Sequence, residues 1–200
     1  MWISKTGAVK ALKEAWKKGY EIVPRGNRIS IYTENWALEA EMKDLPLEVS
    51  QTLVEHYGGI PVDPMYVRKG HDNQTILDAW AQERHEELIG YQEKPHYMHR
   101  APVTYKGTWE LFVTAECEWL CVGNRNLDIL ENIGWCDVMI TSSGMALFGC
   151  NGGRLTVAPG KFAGEDIVKL RKMAEMYVER RVQEIEAPEN LCLFGDMERG

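Results

Sequence analysis

All five histidines of the chain fall between residues 56 and 99: His56, His71, His85, His96 and His99. Imidazole is a neutral ligand of borderline softness, so such a gathering is the first place to look for zinc or another transition metal. His96 and His99 stand three apart, and His85 precedes them beside Glu86 and Glu87. His85, His96 and His99 are therefore the candidate metal ligands, with zinc as the cofactor and a metal-dependent hydrolase or nuclease as the activity. The spacing is not that of a zinc-protease helix and places no general base, and histidines in a polar stretch also serve as surface decoration.

Cys117 and Cys121 pose a related question. On a strand their sulfurs would share a face roughly 13 Å apart, too far for one metal; on a helix they would be neighbours. Leu111-Phe112-Val113 and Trp119-Leu120 favour strands, so buried thiols are expected. A composite site with His96 and His99 would need a turn at Cys117. The five cysteines (Cys117, Cys121, Cys136, Cys150, Cys192) are odd in number and without a framework spacing, which points to free thiols and a cytoplasmic setting. Thr141-Ser142-Ser143-Gly144 lacks the G-x-S-x-G elbow of a serine nucleophile and suits a hairpin turn. Gly149 to Gly153 is glycine-rich without the ending of a phosphate loop.

Charge narrows the function further. The chain has 200 residues and a net charge of −7, yet residues 1–30 hold seven Lys or Arg against two Glu. An acidic balance argues against a broad phosphate-binding surface and makes nucleic acid an unexpected direct partner. Lys17, Lys18, Arg25 and Arg28 could form a small anion patch. Glu34, Glu39, Glu41, Asp44 and Glu48 form the candidate acidic face for a protein with a basic surface. Seven Trp and eight Tyr can fill a core or anchor an interface. No apolar run reaches the ~20 residues of a membrane helix, and the N-terminus lacks the apolar stretch of a signal peptide.

The elements that would position these residues read as α+β. A helix beginning after Ser4 carries Val9, Leu12 and Trp16 on one face and stops at Gly19. Residues 20–23 and 29–33 alternate around an Arg25-Gly26-Asn27 turn. Trp36, Leu38, Ala40 and Met42 alternate with Ala37, Glu39 and Glu41, which makes a third strand with a solvated acidic side; a helix over 34–43 is the competitor. Pro46 opens a helix facing inward through Val49, Leu53 and Val54 and ended by Gly58-Gly59.

The same order recurs from Asn126. A short helix of Leu127, Ile129, Leu130 and Ile133 precedes strands near 138–140, 145–148 and 155–157. A final helix then starts near Glu165-Asp166, with a stripe of Ile167, Leu170, Met173, Ala174, Tyr177 and Val178. Between the two, Asn73 caps a helix with Ile76, Leu77, Trp80, Leu88 and Ile89, residues 91–101 are an exposed loop, and a hairpin turns at Lys106-Gly107-Thr108 before a strand at 119–122.

This makes two helix–three-strand meander–helix units, 1–59 and 126–200, joined by residues 60–125 with their helix and hairpin. The sheets are antiparallel, and duplication is one explanation of the order. Leu191-Cys192-Leu193-Phe194 after Pro188 is expected to tuck against the body. The order of elements resembles that of double-stranded-RNA-binding domains, whose second helix opens with a basic cluster. Leu45-Pro46-Leu47-Glu48-Val49 and Gly164-Glu165-Asp166-Ile167-Val168 stand at that point here, so the resemblance extends to element order alone and implies no RNA contact.

The expectation is an acidic protein that binds another macromolecule without catalysis. By analogy of size and charge, it would be a phage or mobile-element accessory product inhibiting a nucleic-acid-targeting defence enzyme.

Overall fold

Ser4 opens the first helix, its hydroxyl accepting from Gly7 N, and α1 runs Lys5–Lys18 until Gly19 turns at φ 101°. Strands β1 (Tyr20–Arg25), β2 (Arg28–Tyr32) and β3 (Trp36–Glu41) form the first meander, followed by α2 (Leu47–Tyr57). The computed structural model describes residues 1–88 and 96–186. Next come β4 (Met65–Val67), β5 (Gln74–Thr75), α3 (Asp78–Leu88), β6 (His96–Tyr97), β7 (His99–Tyr105), β8 (Trp109–Val113) and β9 (Trp119–Gly123). The third part holds α4 (Asn124–Leu127), β10 (Asp137–Ile140), β11 (Ala146–Cys150), β12 (Gly153–Val157) and α5 (Gly164–Glu186).

The fold is α+β with antiparallel sheets. Both meanders lie in one sheet of order β5-β4-β1-β2-β3-β12-β11-β10-β6. Their third strands pair antiparallel, with Leu38 opposite Leu155 at the middle of the joint. The first meander thus reads outward from the joint as β3, β2, β1, and the second as β12, β11, β10.

Strand alternation sends Ile22, Ile31, Leu38, Phe148, Leu155 and Val157 into one buried cluster with Leu12 of α1 and with Val49 and Leu53 of α2. A second sheet, β7-β8-β9, closes the same cluster through Phe112, Leu120 and Val122. Phe112 meets Phe148 edge-on, with 5.4 Å between ring centroids. On the second sheet's other face, Leu170 and Ala174 of α5 pack with Ala101, Leu111, Val113 and Cys121. The opposite face of the large sheet carries α3.

Several expectations are corrected. The middle helix begins at Asp78; Asn73 instead sends its side-chain N–H to Tyr57 O at 2.8 Å, where it ties the loop to the end of α2. The two-residue strand β5 and the short β4 and β6 were too brief to show a period. Residues 96–97 and 99–101 are strand, not loop. The helix expected over 127–133 is only Asn124–Leu127, because Leu130 bridges to Ile3 instead. Val54 faces out.

Cys136, just before β10, and Cys150, the last residue of β11, form a disulfide, while Cys117 and Cys121 are free. The expectation of uniformly free thiols therefore fails for that pair, which sheet register alone brings together. Ile89, Pro188 and Leu191 to Phe194, Cys192 included, lie outside the described residues. Among the described residues, no helix is long and apolar enough to cross a membrane.

Candidate interaction site

The large sheet's second face is half polar: the alternation that buries Ile22, Ile31 and Leu38 places Glu21, Ser30, Tyr32, Glu39, Arg154 and Thr156 on the other side. A helix laid on such a face cannot be held by apolar burial alone. Ala81 and Leu88 of α3, with the preceding Ile76, reach Val23, Tyr32 and Ala37. Hydrogen bonds do the rest. The Arg25 guanidinium donates to Gln82 Oε1 at 2.9 Å and to Ala81 O at 2.8 Å, while Thr156 Oγ1 donates to Leu88 O at 2.8 Å.

Beneath the helix the Tyr32 hydroxyl lies 3.1 Å from His85 Nδ1, and Glu39 Oε2 lies 3.4 Å from the same nitrogen. Glu39 Oε1 accepts from Arg28 at 2.5 Å and from Arg154 at 3.5 Å. Glu39 is buried, and a buried carboxylate is tolerated only with such compensation. Burial holds the His85 pKa below its ordinary value, outweighing the opposing pull of Glu39. Burial also pushes Tyr32 up, and pushes Glu21 up against the attraction of Arg84. The layer clamps α3 in one orientation.

The outer side of α3 is what that clamp presents. Only Ala81 and Leu88 of its eleven residues are buried, so most of the helix faces solvent. Leu77 just before it is 77% exposed and Trp80 is 52% exposed. The same helix exposes Asp78, Glu83, Glu86 and Glu87, with Arg84 paired to Glu87 at 3.2 Å and Gln82 donating to Glu86 at 2.6 Å. An exposed tryptophan in an acidic frame is chemistry for docking on a basic surface with an apolar recess.

The residues singled out from the sequence are dispersed. Glu34 pairs with Lys18 at 2.7 Å and Glu48 with Lys5 at 2.9 Å, at opposite ends of α1 and so roughly 20 Å apart along it. Glu41 pairs with Lys43 at 2.7 Å, and Asp44 is half-buried beside Gly152. Glu39 lies under α3, so the acidic side of the third strand is covered rather than solvated. These five carboxylates do not share one face.

The basic candidates divide likewise. Arg25 and Arg28 serve the α3 layer, whereas Lys17 and Lys18 end α1. His85 sits in that layer, His96 on β6 has Nδ1 3.6 Å from Glu118 Oε2, and His99 opens β7. Among the described residues, no group of three or more His, Cys, Asp or Glu is placed to hold a metal ion. Cys117 does turn, at φ 63°, while Cys121 is buried with its thiol pushed up to about 12. Thr141 to Gly144 forms the expected turn, with Thr141 N donating to Met145 O.

Leu77 and Trp80 belong to the apolar set expected on the middle helix, with no face assigned to them. The available signal was the four acids Asp78, Glu83, Glu86 and Glu87, which leave α3 too narrow an apolar stripe to bury them. Comparison of the chain with protein-family models, with curated proteins and with solved structures finds no match.

Proposed function

We propose that the protein acts by binding another protein, without catalysis, through the outward side of α3. One observation carries this reading: Leu77 and Trp80 stand exposed within an acidic frame, on a helix clamped to the sheet from beneath. Ordering that surface costs little at binding, because α3 is already held by Arg25, Thr156 and His85. The partner presents basic side chains around an apolar recess that takes the indole. An enzyme that grips nucleic acid through a basic cleft has that chemistry, and α3 would compete there with phosphates. The reading therefore extends to an inhibitor of a nucleic-acid-targeting defence enzyme, produced by a phage or mobile element. In a cytoplasmic setting, Cys136 and Cys150 would be held as thiols.

The test is affinity capture from a host lysate with the wild-type chain, Trp80→Ala, and the double variant Glu83→Lys with Glu86→Lys. The expected result is a near-stoichiometric protein that binds the wild type and loses affinity at least ~30-fold with Trp80→Ala, the scale of an interface hot spot. Unchanged melting of the variants separates this from unfolding. Equal capture by all three proteins would refute the assignment of α3.

A further inference from the structure

On the far side of the molecule, α5 and the edge strand β7 enclose an open groove of about 780 Å³. Its apolar lining is Val103 on the strand and Met173, Met176 and Tyr177 on the helix. Arg100 and Arg181 line it as well. No carboxylate among the described residues lines it, although the chain as a whole carries −7. The groove is thus a basic, apolar recess on an acidic protein.

Its walls are fixed in place. Arg100 is held by two parallel bonds to Glu110, at 2.9 and 3.0 Å, yet its side chain is half exposed and can still present a donor outward. Tyr177 donates its hydroxyl to Arg100 O at 3.3 Å and so fastens α5 to the strand. Met176 is 60% exposed, and methionine adapts its shape to varied apolar partners.

We infer that this groove binds an acidic peptide segment of a partner protein, its Leu, Phe or Met side chains seated on Met173, Met176 and Val103 and its carboxylates paired with Arg100 and Arg181. Charge complementarity selects this occupant. Nucleic acid is less suited, because methionine and valine offer no aromatic faces on which bases stack, and Tyr177 alone does not make a stacking platform. The surface differs in sign and position from α3, so the two assignments stand or fall separately.

Selection of a random displayed peptide library on the full chain tests the inference. Enriched sequences should combine Asp or Glu with Leu, Phe or Met. The labelled consensus peptide should bind the wild type, lose at least tenfold affinity with Arg181→Glu or Met176→Asp, and keep full affinity with Trp80→Ala. Both groove substitutions are at side chains that reach solvent, and unchanged melting confirms the fold. Three results would each overturn the inference: enrichment without acidic residues, binding indifferent to both groove substitutions, or a groove that takes single-stranded nucleic acid or a second copy of the chain in place of the peptide.

Discussion

Acidification should destabilise this protein through one buried imidazole. His56 lies in the last turn of α2, where the helix carbonyls favour a charged ring by roughly 0.3–1 kcal/mol. Burial opposes this and wins. The residue is 3% exposed, stacked on Trp16 with 4.0 Å between ring centroids, and its Nδ1 lies 2.7 Å from the Tyr20 hydroxyl. Burial lowers its pKa from 6.5 to about 4; Lys13 adds to that effect and Glu55 opposes it. Burial pushes the Tyr20 phenol well up, so Tyr20 stays protonated and donates, which leaves the imidazole proton on Nε2.

The folded pKa is below the unfolded one, so as pH falls the unfolded chain takes up the proton first. The contribution of His56 is full above pH 6.5 and is lost as pH falls towards about 4. At about 1.4 kcal/mol per pH unit this amounts to about 3 kcal/mol, a large part of the ~5–15 kcal/mol that holds a typical domain folded. The assay is urea unfolding as a function of pH for the wild type and His56→Gln, which keeps a side-chain acceptor for Tyr20 without titrating. The difference in unfolding free energy between the two should shrink by about 3 kcal/mol between neutral pH and about pH 4. Parallel curves, or an NMR titration of the His56 ring centred near 6.5, would refute the reasoning.

Two further outcomes are expected. Gly7→Ala should destabilise the protein by several kcal/mol in thermal or urea unfolding, although alanine favours a helix by about 1 kcal/mol. A Cβ at Gly7 would overlap the Asp128 carbonyl, which is backbone and cannot step aside. Reduction of Cys136–Cys150, which are 14 residues apart in sequence, should cost about 3 kcal/mol of loop-closure entropy and lower the melting temperature by roughly 6–12 °C. Cys136→Ser should melt at the same temperature with and without reductant.

The elements of this fold were legible wherever their periods were long enough to repeat. The alternation of Ile29, Ile31 and Leu38 and the helical spacing of Leu12 with Trp16, or Leu170 with Ala174, are local properties of the chain, and they produced both meanders with α1, α2 and α5, though not the helix expected over 127–133. Gly19 and Gly58 closed the first two helices as read, each at positive φ. Strands of two or three residues carry no such pattern, and β4, β5 and β6 became strands only because a longer neighbour offered an edge.

What the sequence could not contain is which faces meet. Glu39 looked solvated because the strand's other side was apolar; it is buried because α3 lies on it and Arg28 and Arg154 balance its charge, with the His85 ring 3.4 Å from its other oxygen. Cys136 and Cys150 looked like separate thiols until the register of β10 on β11 set them opposite each other. Trp80 and Leu77 stood in the expected apolar set of the middle helix with no face assigned, and the packing of α3 through Ala81 and Leu88 leaves them exposed. Local sequence determined the helices, the meanders and their alternation through backbone preference and side-chain period. The acidic, tryptophan-bearing face and the arginine-lined groove were decided by tertiary structure, because each arises where elements distant in sequence pack and leave particular side chains uncovered.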